Sequence, residues 1–429
     1  MIQTPERERI AKIEIGQTDI SPALAWLLVG AFLLTIALVP LIDLATGRAT
    51  RSGVSLSTLA EVVPTARREG WLAGSHALLR QMHQFESGLE KGSFLSGALL
   101  PLTQRVLTAL GVGNEKVYLG RAGGERWLYY APDLRYVTGP GFLDPATLRR
   151  RRLEGEEWEA APRPDPLPAL VDFRRQLARR GIALIVMPAP VKPMIEPEGL
   201  TRHGTPTLPL QNPSWPDFAA RLRAAGIELF DPAPLLAVAK GRSGAPQFLR
   251  TDTHWAPRAM DLVAGSLAER VRSLPGLSPA TGAGYFRQAQ AVSNLGDLAV
   301  LLTLPASHPL KSAEKVTIQR VQTAEGLPWK ADPRAEVLLL GDSFTNIYSQ
   351  SDLGWGTGAG LAEQLAYHLG RPVDRLALNS GGAYTTRQRL AQELAAGNDR
   401  LAGKKVVIYE RAARELAIGD WKLIRLDGR

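Results

Sequence analysis

The chain contains no cysteine. That single absence excludes disulfide scaffolds, thiolate-bound zinc, iron–sulfur clusters and thiol nucleophiles. Histidine is scarce, with six among 429 residues, so few imidazoles are available for proton transfer. Aromatic residues amount to 7% and nowhere interleave with basic residues on one face, which argues against a nucleic-acid partner. Four successive arginines, Arg149 to Arg152, are followed at once by Glu154, Glu156 and Glu157 and read as a solvated helix end. HExxH and Walker A patterns are missing. Gly354, Gly356, Gly358 and Gly360 alternate, but without dinucleotide-binding spacing and with no strand directly before them. His76 and His83 stand seven apart with no third ligand nearby. Neither a cofactor nor a metal is expected.

What is present suits a folded chain of two or three units: 45% hydrophobic and 22% charged residues. The net charge of +9 favours an acidic partner, such as anionic lipid or an anionic polysaccharide. One long apolar run, Ile20 to Ile42, lies between Asp19 and Asp43 and matches the roughly 20 residues that cross a bilayer core. It outlasts the apolar region of a secretory signal, about 7–15 residues, so an uncleaved anchor is the preferred reading over a cleaved signal or a buried core helix. Arg7, Arg9 and Lys12 precede the run and Arg48 and Arg51 follow it, a balance favouring a cytoplasmic N-terminus. The expected organisation is therefore a cytoplasmic tail (1–19), an inner-membrane signal anchor (20–42), a helical stalk or packing region (43–111) and one large domain (112–429) on the far side.

Within that domain, Val117–Gly120 and Trp127–Tyr130 flank Gly123-Gly124 as a hairpin signal. Pro162, Pro164, Pro166 and Pro168 read as a linker. Helix-then-strand units follow: Leu170–Arg180 before Ile182–Met187, Phe218–Ala225 before Ile227–Asp231, Leu361–Leu369 before Asp374–Leu378, and Arg387–Ala395 before Lys405–Tyr409. Val337–Leu340 is a fifth strand by its unbroken aliphatic run. Five apolar strands alternating with amphipathic helices predict an α/β fold, a parallel sheet with helices on both faces, interrupted by a mostly non-helical insertion at 276–335. Functional residues in such sheets lie at the carboxyl ends of the strands.

One strand end reads Leu340-Gly-Asp-Ser-Phe-Thr-Asn346, placing Ser343 at a turn before a helix start. A serine hydroxyl needs a base to take its proton. His254, in Thr251-Asp-Thr-His-Trp255, is the candidate, because Asp252 two residues earlier can orient the imidazole. His76, His83, His203, His308 and His368 have no carboxylate within two residues. Asp-x-His is also a common helix-cap pattern, and Gly-Asp-Ser an ordinary turn; their co-occurrence after strands of one sheet favours chemistry. Trp355, beside the glycine-rich loop, and Trp215 are either packing residues or faces for a sugar ring.

These blocks resemble a family. Gly-Asp-Ser after a strand is the nucleophile block of SGNH hydrolases, and an Asp-Thr-His-Trp block upstream of the serine resembles the alginate O-acetyltransferases of the AlgJ/AlgX type. The similarity extends over roughly residues 85–425 and includes Asn294–Leu298, Gly356–Leu369, Asn379–Leu390 and Tyr409-Glu-Arg411. It implies an SGNH-like fold facing the periplasm, with Ser343 as nucleophile, His254 as base and Asp252 as orienter of a Ser-His-Asp triad. The resemblance also implies oxyanion or substrate contacts from Gly381 or Gly382, with Asn379 and Tyr348 as further candidates; Arg387 is either a substrate contact or a solvent-facing helix residue. The third SGNH block has no clear counterpart. The implied activity is membrane-anchored acetylation of an exported, anionic polysaccharide through a serine acyl-enzyme. A polytopic membrane-bound O-acyltransferase would be the acetyl donor. The competing readings are a polysaccharide acetyl esterase with the same triad and a non-catalytic polysaccharide-binding scaffold.

Overall fold

A computed structural model of the chain describes residues 21–46, 62–72, 74–75, 77–79, 81–82, 86, 93–120, 127–154, 160–201, 208–279, 282 and 284–426. The expected cytoplasmic tail, His76, His83, His203 and the Gly123-Gly124 turn lie outside them. Two compact units are distinguished, residues 1–101 and 102–429.

The first unit holds helix α1 (Pro22–Ala45) and the short α2 (Val62–Glu69). Helix α1 is long and apolar enough to cross a membrane, a property shared by anchors and signal sequences. Near its end, the buried Asp43 accepts the Phe94 amide at 2.9 Å, which fixes the start of α3 (Phe94–Ala109).

In the second unit β1 (Val117–Leu119) and β2 (Leu128–Tyr130) form the antiparallel pair that the aromatic-rich segments predict. Helix α4 (Pro166–Ala178) begins earlier than the proline-rich stretch suggested. Asp165 caps it by accepting the Leu167 amide at 2.9 Å, and Pro166 supplies a first residue whose missing N–H costs nothing there. The central sheet then assembles from β3 (Ala183–Ala189), β4 (Glu228–Leu229), β7 (Val337–Gly341), β8 (Asp374–Ala377) and β9 (Val406–Ala412), all parallel, in the order β4-β3-β9-β7-β8. Every residue of β7 and β9 is buried, so both faces of the sheet are covered. That is why Val337–Leu340 and Val406–Ile408 read as unbroken aliphatic runs rather than alternating ones. Each such side chain contributes about 1.5–3 kcal/mol through burial. Helix α5 (Pro257–Arg272) packs against α7 (Leu361–Leu369), while the one-turn α6 (Ser343–Asn346) starts directly at the end of β7.

The insertion is not featureless. It contains a hairpin, β5 (Phe286–Asn294) paired antiparallel with β6 (Glu314–Gln322), enclosing a short helix at Asp297–Leu301. The end of this hairpin where Asn294 pairs with Glu314 supplies the residues that hold the loop carrying His254.

Candidate active site

Ser343 is placed by its neighbours rather than by its own contacts. Asp342 has its amide bonded to Glu410 Oε2 at 3.0 Å, accepts the Phe344 amide at 2.8 Å through Oδ1, and accepts the Ala412 amide at 2.8 Å through Oδ2. The turn after β7 is thereby locked to the end of β9. Glu410 is fully buried and also accepts the Thr345 hydroxyl. Burial and the adjacent Asp342 charge push its carboxyl well above the usual range.

The His254 loop is built from a tight reversal. The Leu249 amide donates to the His254 carbonyl at 3.1 Å and the Ala256 amide to the Gln247 carbonyl at 2.8 Å, after which α5 begins at Pro257. Two carboxylates of the insertion clamp this loop. Glu314 accepts the amides of Arg250 and Thr251 at 3.0 and 3.3 Å. Asp297 accepts the Thr253 amide at 2.8 Å and the Thr253 hydroxyl. Gly296 (φ +85°) sits so close to the Thr251 carbonyl that a Cβ would collide with it. From the other side, the buried Lys192, first residue of the short helix after β3, donates to the carbonyls of Leu128 (2.7 Å) and Arg250 (3.3 Å). Burial lowers its ammonium to about 8 despite the neighbouring Asp252, Asp297 and Asp133.

The two loops then interlock. Trp255 Nε1 donates to the Phe344 carbonyl at 3.2 Å, and the Tyr348 hydroxyl donates to the Trp255 carbonyl at 2.6 Å. The consequence is a continuous polar chain. His254 Nε2 lies 2.8 Å from Ser343 Oγ, and His254 Nδ1 lies 2.6 Å from Asp252 Oδ1. Asp252 Oδ2 accepts Trp355 Nε1 at 2.8 Å and the Asp297 amide at 3.1 Å. Burial acts to raise the Asp252 carboxyl, but the hydrogen bonds from His254 and Trp355 and the imidazole's charge outweigh it and hold the group down to about 2. Burial likewise works against a charged His254, yet the bond to Asp252 and its charge raise the imidazole above its ordinary value. Asp297, half-buried beside Asp252, is pushed up to about 6 by desolvation and the Asp252 charge. An ionised carboxylate, an imidazole of enhanced basicity and a serine hydroxyl in that order form a proton-withdrawing chain aimed at Oγ.

Asp252, His254 and Asp297 have ligand atoms within 4.8 Å of one another. Each carboxylate oxygen of this trio already accepts a protein N–H or O–H. A cation would have to displace those donors, so the set fits a hydrogen-bonded relay better than a metal centre.

The remaining candidates divide. Gly381 and Gly382 follow β8, the strand beside β7, and their amides have no acceptor among the described residues; the same holds for the Ser343 amide at the start of α6. Asn379 is committed. Its Nδ2 donates to Gln350 (3.1 Å) and Asp352 (3.3 Å), and its Oδ1 accepts from Asn346 (2.9 Å). Tyr348 is fully buried, with its one proton spent on the Trp255 carbonyl, so it joins the loops instead of facing an oxyanion. Arg387 is neither a solvent-facing residue nor a substrate contact. It is 1% exposed, encircled by Phe173, Tyr409 and Trp421, and bonded to Tyr409 and the Lys422 carbonyl. Trp355 meets no sugar face, because it is fully buried beneath Asp252. Trp215 packs on Phe218 with ring centroids 5.9 Å apart.

Sequence proximity missed a second histidine–carboxylate pair. His368 Nε2 lies 2.7 Å from Asp261, beside a cavity of about 650 Å³ that includes none of Ser343, His254 and Asp252. No described hydrogen bond joins this imidazole to a serine. Proximity also gives no sign of Asp297, Glu314, Lys192 or Trp355 as supports; Asp297 is reached through the resemblance of the Asn294–Leu298 block, and Trp355 is singled out only as a packing residue or a sugar face.

Residues 121–412 match the model of the family described as SGNH hydrolase-like domain, acetyltransferase AlgX. The chain belongs to this family. It is 31% identical over 194 residues to the Pseudomonas aeruginosa protein named "Probable alginate O-acetylase AlgJ", a match covering 44% of this chain and 49% of that one. A protein of the same name from Pseudomonas fluorescens is 27% identical over 242 residues, 54% of each chain. The chain thus spans about half the length of the curated relatives it matches. Among solved structures, the O-acetyltransferase domain of Pseudomonas putida AlgJ superposes with a TM-score of 0.52 at 22% identity, covering 71% of this chain and 93% of that domain. This likeness establishes the shared fold.

Proposed function

We propose that the protein is a membrane-anchored, periplasmic O-acetyltransferase that moves an acetyl group through Ser343 onto hydroxyls of an exported uronate polysaccharide. The observation that carries this reading is the 2.8 Å approach of His254 Nε2 to Ser343 Oγ, backed by Asp252. His254 takes the serine proton as Oγ bonds to the acetyl carbon. The resulting oxyanion is met by the amides of Ser343 and of Gly381 or Gly382. The leaving group departs with the proton from His254, leaving acetyl-Ser343. A sugar hydroxyl then gives its proton to His254 and attacks the acetyl carbon, and Ser343 Oγ leaves by taking that proton back from His254.

Membership of the AlgX-type family and the similarity to proteins named alginate O-acetylases support transfer over hydrolysis and an alginate-like acceptor. The net charge of +9 suits such an anion. Helix α1 serves as the anchor, and a polytopic acyltransferase in the same membrane supplies the acetyl group. The test uses the full chain in detergent with p-nitrophenyl acetate and a uronate oligomer. An acetylated oligomer that disappears in Ser343→Ala supports the reading. Free acetate as the sole product makes the enzyme an esterase, and undiminished transfer by Ser343→Ala removes the serine from the chemistry.

A further inference from the structure

A cation that the reaction sketched above does not use shares the Phe344 ring with His254. Arg414 lies two residues beyond β9, whose last residue, Ala412, is bonded to Asp342 in the Ser343 turn. The Phe344 ring connects the groups. Its centroid is 4.8 Å from that of the His254 ring and 5.7 Å from the Arg414 guanidinium carbon, so imidazole and guanidinium flank one phenyl ring. The guanidinium also sits 5.3 Å from the Tyr130 ring.

Only one edge of the fork is occupied: Nη1 donates to the fully buried Asp133 at 2.9 Å. That pair fixes the orientation of the side chain. Nε and Nη2 have no acceptor among the described residues, and unlike the spare donors of Arg411 they are not sealed from solvent. The Arg414 side chain retains 13% exposure. A guanidinium anchored by a buried acid, with its remaining donors unpaired and its side chain partly open to solvent, is suited to receive a planar anion in a two-pronged bond.

We propose that Arg414 binds the carboxylate of the uronate residue whose hydroxyl is acetylated, making it the specificity-determining contact for an acidic acceptor. The proposal rests on the transferase reading above. An oxyanion at the acetyl carbon is served by backbone amides, which leaves the guanidinium to the acceptor, where a neutral sugar offers it nothing.

The test compares two acceptors of equal length, a uronic-acid oligomer and its carboxyl-reduced neutral counterpart, using the full chain with p-nitrophenyl acetate as donor. The unaltered protein should favour the acidic acceptor in kcat/KM by about tenfold to a hundredfold, the value of a charge-assisted bond. Arg414→Gln should collapse that ratio to within about twofold, mainly through the KM for the acidic oligomer. Arg414→Lys keeps the charge and the Asp133 partner, and should reduce the ratio severalfold even if the glutamine variant fails to fold. Equal rates with both acceptors, or an unchanged ratio in the variants, overturn the proposal alone. Absence of transfer to either acceptor overturns the transferase reading and the proposal with it.

Discussion

Replacing Asp252 with asparagine tests the proton relay through a forced choice of hydrogen bonds. The Oδ2 side of Asp252 faces two obligate donors, the Trp355 indole and the Asp297 amide. The Oδ1 side faces the His254 amide and His254 Nδ1, and of all these partners only the imidazole can change from donor to acceptor. An asparagine NH2 must therefore turn towards His254, where Nδ1 becomes the acceptor and the ring proton moves to Nε2. That nitrogen would then donate to Ser343 Oγ instead of withdrawing its proton. In serine triads this wrong tautomer costs about 10⁴-fold in turnover. Stopped-flow measurement of p-nitrophenol release reports acyl-enzyme formation directly, and thermal unfolding confirms that the variant is folded. A folded Asp252→Asn protein retaining more than about a tenth of the wild-type rate would refute this reasoning, since a bystander carboxylate gives no 10⁴-fold effect.

Further outcomes follow from the same contacts. The raised His254 value puts the acid limb of acyl-enzyme formation above pH 6.5, with activity lost as pH falls through it and the imidazole takes a proton. The linked stability runs in the opposite sense: it is complete below about 6.5, the unfolded value, and is lost as pH rises through the folded value, which melting curves across pH measure. Trp355→Phe keeps the buried ring but removes the donor to Asp252; a lost bond to a charged group, about 1.5–3 kcal/mol, should slow acylation by roughly tenfold or more. Tyr348→Phe should cost less than about tenfold in rate, whereas an oxyanion donor would cost about 10²–10³. Arg387→Met should lower unfolding free energy by about 2–3 kcal/mol in a denaturant titration while the folded protein keeps its acylation rate, because its contacts are aromatic rings and a carbonyl.

How far the sequence could be read follows from the range of each signal. Strand β7 is legible because Val337 to Leu340 bury both faces, and Ser343 is legible because it follows that run directly. Asp252 and His254 are two residues apart, so their pairing shows in a local pattern. Everything that holds them is distant: Trp355 lies 103 residues from Asp252 and Asp297 lies 45 away. Spacing along the chain carries no information about such contacts. Trp355 in the glycine-rich loop at 354–360 reads as a packing residue or a sugar face, and only the folded chain shows its indole buried on Asp252. Arg387 is a parallel case. Its guanidinium reads as a substrate contact or a solvent-facing group, while here three aromatic faces take it in. Tyr348 occupies the interior for a related reason, since its phenol spans to a main-chain carbonyl that only the folded chain brings near.

The central claim is that Ser343 carries the acetyl group between donor and acceptor. Acid quenching of the full chain early in its reaction with p-nitrophenyl acetate, followed by peptide mass mapping, tests it most directly. The account predicts one acetyl group on the peptide containing Ser343, lost on adding a uronate oligomer and absent in His254→Ala. An unmodified Ser343 peptide during active turnover, or the acetyl group on another residue, would contradict it.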